Sequence, residues 1–566
     1  MSQITRRGAF GLAGGLAGLA ACGAEDAAAP EIATPPYAGE VGFDHGVASG
    51  DPLHDRVILW TRVTPRSGEG AIPVAWAVYT DESLTELAAS GAAETTAARD
   101  FTIKVDALGL EAGRDYYYRF LAKTAAGDVA SPTGRTKTAA LAGDAPVKLA
   151  VVSCSNYPFG YFNAYKALSE TPDLDAVVHL GDYLYEYGID GYGGEAGEAL
   201  GRRHDPITEI VTLDDYRTRH AQYKSDPDLQ AAHASAPWIC TWDDHESTNN
   251  SYRSGAENHN VENNEGDWSD RKQVAVQAYL EWMPVRDPQR GRAREAIYRK
   301  FDFGEVATIF CLESRLTGRS DEISWFAELG GKEPAEVPGA ALAAMQRVND
   351  PSRTMLGDVQ EDWLARGLEA SVEGGKSWQV LANQVIMAKV RAPNFTRTLT
   401  EEQKAAQTIG YIQQLIPFSQ LGLAWNLDAW DGFPAARDRL YEASMEAGAR
   451  LVTLTGDTHT AWANTLHSGD DVVGVEFACT SVTSPGFGAY MFDVPDLGEQ
   501  FAEANEDVDW YNPVSGGFLI VTLTKDAARG AYYDISTVTE REFEITELVQ
   551  YESRIEDDAQ TPLQRL

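Results

Sequence analysis

Positive charge is scarce in this chain. Its 566 residues carry 47 lysines and arginines against 85 aspartates and glutamates, for a net charge of −38. A nucleic-acid-binding surface needs basic side chains clustered against phosphates, so no specific nucleic-acid binding is expected. Docking on anionic lipid by charge alone is disfavoured for the same reason. The acidity also poses a problem for any anionic substrate, which the summed field would repel. Cysteine is sparse too: Cys22, Cys154, Cys240, Cys311 and Cys479 are too few for a disulfide-built scaffold. Beyond residue 21 no run reaches about 18 uninterrupted apolar residues, so no later membrane span is expected. No internal repeat is visible. Apolar residues are plentiful, at 43% hydrophobic and 10% aromatic. That is the composition of a globular protein, and at roughly 100–200 residues per domain the length allows two to four domains.

The N-terminus reads as an address. Thr5-Arg6-Arg7-Gly8-Ala9-Phe10 precedes a Gly/Ala/Leu run that ends at Ala21. A basic stretch before a short apolar one is an export signal, here residues 1–21. The arginine pair is similar to a twin-arginine signal. Leu19-Ala20-Ala21-Cys22 resembles a bacterial lipobox, in which the cysteine is lipidated; ordinary cleavage beside an incidental cysteine is the alternative. Residues 22–40 read as an Ala/Pro/acid-rich tether. The expectation is an exported bacterial protein, periplasmic or at the outer surface, with a lipid anchor at Cys22. Losing the two signal arginines would leave a charge of −40.

Residues 41–142 read as an all-β unit. Val57-Ile58-Leu59-Trp60, Val74 to Tyr79 and Tyr116-Tyr117-Tyr118-Arg119-Phe120 are short strands at sandwich spacing. The Leu110…Gly113…Tyr116-Tyr117-Tyr118 stretch resembles a fibronectin type III edge. From residue 146 to 550 the pattern changes to buried strands alternating with helices at 161–170, 271–283 and 359–371, which implies a layered α/β domain. Residues 391–440, rich in Gln, Trp and Pro, read as an insertion over the site. Phe518–Leu523 and Gly530–Tyr533 read as a hairpin, and 551–566 as a tail.

Five strands deliver metal-competent side chains at their C-terminal ends, where α/β sheets place their sites. They supply Cys154, then Asp182 and Tyr185, then Asp244, then Asn383, then Asp457 and His459. A lone strand-end Asp is more often a helix cap, but five strand ends with the same habit are not. Asp182 has two oxygens with which to bridge two ions. A tyrosine ligand binds as phenolate, which demands a strongly Lewis-acidic ion such as Fe³⁺, and Cys154 would bind as thiolate. Asp244, Asn383 and Asp457 are hard oxygen donors suited to Ca²⁺, Mg²⁺ or Mn²⁺. His245 follows a ligand directly and is placed to protonate a leaving group or steady a phosphoryl oxygen.

The chain resembles the alkaline phosphatase D family of calcineurin-like metallophosphoesterases. The matching stretches are Phe43–Pro52, Ser153–Tyr157, Gly181–Glu186, Trp242–Glu246, Asn426–Gly432 and Gly456–Thr460. The resemblance implies a β-sandwich, fibronectin- or Ig-like, ahead of a metallophosphatase core of two sheets flanked by helices. It implies one Fe³⁺ held by Cys154, Tyr185 and His459, with Asp182 bridging. It implies one or two Ca²⁺ held by Asp244, Asn383 and Asp457, with His245 as the outer catalytic histidine and a hydroxide attacking phosphorus. One departure is Glu313-Ser314-Arg315, where the family pattern has Asp-Thr-Arg. Arg315 would contact phosphate, or else form a structural salt bridge. Counting charges, five anionic ligands against Fe³⁺ and one Ca²⁺ leave the site near zero, so a second divalent ion or a cation such as Arg315 is expected beside the phosphate.

The expected activity is hydrolysis of phosphomonoesters, phosphodiesters or both, for phosphate scavenging, by a monomer acting on small phosphate esters. Phospholipase D-type cleavage of phospholipid head groups, another metallohydrolase chemistry, and a non-catalytic surface lipoprotein are the rival readings. His179 and the thiols of Cys240 and Cys311 are expected to be structural, His467 to lie in a loop, and Asp243 to orient His245 or cap a helix.

Overall fold

The computed structural model describes residues 34–566. The export signal at 1–21, Cys22 and most of the tether lie outside the described residues.

The first strands are β1 (Val47–Gly50), β2 (Arg56–Arg62), β3 (Ile72–Tyr79), β4 (Leu87–Thr95), β5 (Thr102–Leu108), β6 (Asp115–Thr124), β7 (Gly127–Ala130) and β8 (Gly134–Lys137). One antiparallel sheet runs β8-β6-β3-β4, with β7 on β6. Along β6 every second residue is buried (Tyr116, Tyr118, Phe120, Ala122), the period of a strand with one face on a core. That face packs on Val57 and Leu59 of β2 and Ile103 of β5, giving two layers.

The second layer is not a separate sheet. β1 pairs in parallel with a core strand, Pro237–Cys240, through Pro237↔Ser49 and Trp238↔Gly50, so β1, β2 and β5 extend the core sheet. Gly50 permits this approach, since a Cβ there would sit 2.7 Å from the Trp238 carbonyl oxygen. The next residue, Asp51, is fully buried and accepts from Arg299 of the core at 2.5 Å.

The core strands are β9 (Val147–Val152), β10 (Ala176–His179), β11 (Pro237–Cys240), β12 (Arg299–Phe303), β13 (Ala307–Cys311), β14 (Trp378–Ala382), β15 (Leu451–Thr455), β16 (Ala461–Ser468), β17 (Asp471–Ala478), β18 (Val508–Asn512), β19 (Gly517–Leu523), β20 (Ala527–Ile535) and β21 (Ile545–Glu556). One sheet runs β21-β20-β19-β9-β10-β11 and then continues into β1-β2-β5. The other runs β12-β13-β14-β15-β17-β16-β18. Within them β9, β10 and β11 are mutually parallel, as are β13, β14, β15 and β17.

Leu149, Val151, Val178 and Ile239 of the first sheet share an apolar cluster with Ile309, Val380, Val452 and Val475 of the second, so the sheets pack face to face. Strands covered on both sides read as unbroken apolar runs, which is why β10 and β14 are buried at every residue. The helices α1 (Asn163–Ser169), α2 (Leu213–Lys224), α3 (Pro227–Ser235) and α4 (Trp268–Trp282) add apolar residues to the cluster on the outer face of the first sheet. Helices α5 (Asp358–Glu373), α6 (Gly410–Ser419) and α7 (Pro434–Ala447) do so on the second. The helices expected at 161–170, 271–283 and 359–371 correspond to α1, α4 and α5, and the expected hairpin is β19–β20.

Two expectations need correction. Residues 551–566 are not a loose tail. β21 runs to Glu556, and Ala559–Gln560 and Gln564–Arg565 pair with it. Val549, Tyr551 and Ser553 turn inward, and the charged neighbours Glu552 and Arg554 disguised the strand. His467 lies within β16 and its Nδ1 meets Asp507 at 2.9 Å. Among the described residues no helix is long and apolar enough to cross a membrane.

Candidate metal centre

The parallel strands bring their C-terminal ends to one edge of each sheet, and a buried side chain joins the two edges. The Gln384 amide nitrogen, just past β14, donates to the Thr241 hydroxyl at 2.7 Å and the Trp242 carbonyl at 3.0 Å, just past β11. Gly181 bends the chain after β10 with φ 108°, and a Cβ there would press within 2.8 Å of the Asp243 Cα.

The side chains then converge. The Cys154 Sγ lies 3.4 Å from Asp182 Oδ2. The Tyr185 hydroxyl donates to the same Oδ2 at 3.1 Å and lies 3.0 Å from His459 Nε2. Donor atoms of Cys154, Asp182 and His459 all fall within 4.8 Å of one another, and so do those of Asp182, Asp244 and His245. Asp182 thus belongs to both groups. Neither group includes Asp457, whose carboxylate faces Arg315 Nη2 at 3.5 Å. The Asn383 amide nitrogen donates to the Val385 carbonyl at 2.6 Å, which leaves its Oδ1 without a partner.

Three further observations fit a cation at this site. The buried oxygens Asp182 Oδ1, Asp244 Oδ1 and Asn383 Oδ1 have no hydrogen-bond partner among the described residues, and such orphans are costly unless something satisfies them. Four of the seven candidate ligands hold left-handed backbone: Cys154 (φ 60°), Asp182 (55°), Asp457 (66°) and His459 (59°). That conformation costs a side-chain-bearing residue about 1 kcal/mol and concentrates where function demands it. The electrostatics agree. Burial, and then neighbouring carboxylates, push Asp457 well above the usual carboxylate range. Burial raises Asp182, with His245 opposing and Asp244 adding. Burial and then Asp182 raise the thiol of Cys154 and the phenol of Tyr185. These donors resist ionisation together until a cation sits among them. The His459 pKa is lowered to about 4 by burial and by His245, which keeps the ring neutral, as a metal ligand must be. Its Nδ1 lies 3.3 Å from the Pro485 carbonyl, so Nε2, which faces the Tyr185 hydroxyl, carries the lone pair.

His245 is anchored differently from expectation. Its Nδ1 meets Glu186 Oε2 at 2.7 Å and its ring stacks on Tyr185 at 4.1 Å. Burial opposes its charged form, but Asp244, Glu186 and Asp182 outweigh that and raise its pKa well above the usual value. Asp243, expected to orient His245 or cap a helix, accepts from Arg315 Nε at 2.5 Å. Arg315 is fully buried. It pairs with Asp243 and with Asp428 at 2.7 Å, and its Nη2, which makes no hydrogen bond among the described residues, lies 3.5 Å from Asp457 and 4.0 Å from Asp244. Ion pairing therefore describes its geometry, at the border of the ligand carboxylates.

Three acids escaped sequence reasoning. Glu186 also accepts from the Asn249 backbone and the Asn258 amide. Glu246 accepts the backbone N–H groups of Asp182, Tyr183 and Asp243 and so clamps two ligand loops together. Asp428 ties down both Arg315 and Arg319. Each stands inside a recognised motif; the signal was a carboxylate in an otherwise buried segment. His179 is structural, bonded to Tyr165 at 2.9 Å, and Cys154, Cys240, Cys311 and Cys479 are all free buried thiols.

A double-sheet scaffold with mixed soft and hard donors gathered at its strand ends defines a candidate metal centre. The chain belongs to the PhoD-like phosphatase family: the sequence model of that family matches residues 149–532, and the model of its N-terminal domain matches residues 27–140. It is 35% identical over 533 residues to alkaline phosphatase D of Bacillus subtilis (strain 168), covering 91% of this chain and 82% of that protein. A solved structure described as that of PhoD superposes with a TM-score of 0.75 at 32% identity, covering 95% of this chain and 93% of the other.

Proposed function

We propose that this protein is a metal-dependent alkaline phosphatase that hydrolyses phosphomonoesters, phosphodiesters or both, exported to scavenge phosphate and anchored by lipid at Cys22. The observation that carries the reading is the shared position of Asp182, which joins a thiol–phenol–imidazole group to a carboxylate group.

The donors suit Fe³⁺ and Ca²⁺. Cys154, Tyr185 and His459 would hold iron; Asp244, Asn383 and Asp457 would hold one or two calcium ions; Asp182 would bridge. The orphaned oxygens of Asp182, Asp244 and Asn383, and the suppressed ionisation of Asp182, Asp457, Cys154 and Tyr185, are what such ions relieve. When bound, the ions supply charge neutralisation on the phosphoryl oxygens and activation of the attacking water.

The protein's own groups do the rest. Glu186 engages His245 Nδ1, so Nε2 is left to hand a proton to the departing alkoxide. Glu186, a carboxylate outside the donor set, favours the protonated form of His245 that this step needs. Arg315, locked by Asp243 and Asp428, adds fixed positive charge beside Asp244 and Asp457. The acidic surface does not oppose an anionic substrate if attraction is confined to this cluster.

The test is metal content together with phosphatase activity at alkaline pH, with and without EDTA and added Ca²⁺. Stoichiometric iron, and activity lost to EDTA and restored by Ca²⁺, support the reading. Full activity in a metal-free protein overturns it.

A further inference from the structure

A cavity of about 310 Å³ opens directly beside Asp457 and His459. Three separate crossovers build it. Phe326 comes from the connection between β13 and β14, Tyr411 and Trp425 from that between β14 and β15, and Phe487 and Tyr490 from that between β17 and β18. The rings meet edge to face. Centroids lie 6.2 Å apart for Phe326–Tyr411 at 88°, 6.1 Å for Tyr411–Tyr490 at 66°, and 4.7 Å for Trp425–Phe487 at 72°. Phe326 is 42% exposed and Tyr411 38%, unusual for large rings that could have packed inward. Among the described residues no lysine or arginine lines the cavity, so none of them balances a second negative charge there.

We propose that this cavity is the subsite for the organic side of the phosphate ester, and that it takes a planar aromatic ring. The inference rests on the phosphoesterase reading, because the two site residues in its wall, Asp457 and His459, fix which end of the substrate enters. Edge-to-face pairs leave faces and edges free for one more ring, and the volume, at the small end for ligand sites, fits a single ring system. A charged or polyphosphate tail has no partner there.

The experiment measures binding of phenylphosphonate, methylphosphonate and decylphosphonate to the full chain supplied with Fe³⁺ and Ca²⁺, by calorimetry. Phenylphosphonate is expected to bind about tenfold tighter than methylphosphonate, the scale of one ring stacked on aromatic side chains. The double variant Phe326→Ala/Tyr411→Ala, at two exposed positions outside the donor set, should shrink that ratio to about twofold or less. Its methylphosphonate affinity should stay unchanged, which also reports an intact fold. Equal affinity for phenyl and methyl in the wild type, a ratio that survives the double substitution, or a larger gain from decyl than from phenyl each overturns the proposal. Hydrolysis of glycerol phosphate by the same preparations reads the phosphoesterase assignment separately. Its absence would sink that assignment while the phosphonate ratio still decides the subsite.

Discussion

The Nδ1 of His245 is held 2.7 Å from Glu186 Oε2, across 59 residues of sequence and between the ends of two parallel strands. The carboxylate fixes which ring nitrogen is engaged and how the imidazole turns toward Asp182 and Asp244.

Glu186→Gln should therefore lower kcat about 10–100-fold while leaving KM near its wild-type value, as for partners that orient site histidines. Glu186→Ala should act no worse on top of His245→Ala than His245→Ala does alone. Steady-state kinetics on the two single variants and the double variant check this. Independent, multiplicative losses would mean that Glu186 does not work through His245.

Tyr185→Phe removes one oxygen and keeps the ring that stacks on His245. The expected outcome is loss of bound iron and of the visible tyrosinate-to-iron absorption, with activity falling in step. Metal analysis and the absorption spectrum decide it, and retained colour and activity would refute the iron assignment.

Arg315 is surrounded by Asp243, Asp428, Asp457 and Asp244. Arg315→Met strands these acids against one another in a dry environment. A loss of about 3–5 kcal/mol is expected, the usual cost of removing one partner from a buried pair. Urea unfolding of the variant measures it. A change below about 1 kcal/mol would place the balancing charge elsewhere.

Lys224 tests pH linkage away from the site. It is fully buried, its Nζ lies 3.0 Å from His233 Nε2 and 4.6 Å from the Trp60 ring, and burial lowers its pKa from 10.5 to about 7. Between about pH 7 and pH 10 the unfolded chain keeps this proton and the folded protein sheds it, so stability rises with pH over that window. Below pH 7 both states carry the charge, and the full burial penalty remains. Lys224→Met should flatten the rise. Melting temperatures from pH 6.5 to 10 give the measurement, and parallel profiles for variant and wild type would contradict it.

Strand ends were legible because doubly covered parallel strands are unbroken apolar runs, and the first polar residues after them stand out. That pattern singled out Cys154, Asp182, Asp244, Asn383 and Asp457 in a chain with many other acids. Partners distant in sequence were not legible. Nothing near Glu186 names His245, and nothing near Asp243 names Arg315, because those pairings exist only once two crossovers have been laid side by side. Local charge also misled. Glu552 and Arg554 made the last strand look like a tail, although their alternation with Tyr551 and Ser553 was the strand signal.

The parallel seam between Ser49–Gly50 and Pro237–Trp238 has a consequence for how the chain can be cut or recombined. The strand that precedes Asp244 has β10 on one side and the N-terminal unit on the other, and Asp51 reaches across to Arg299. A shortened chain begun after residue 142 would expose the unpaired backbone of β11, an invitation to self-association, and would leave the Arg299 charge unanswered. The N-terminal unit thus acts as the missing wall of the catalytic half rather than as cargo it carries, and swapping it for a foreign sandwich requires transplanting the seam as well.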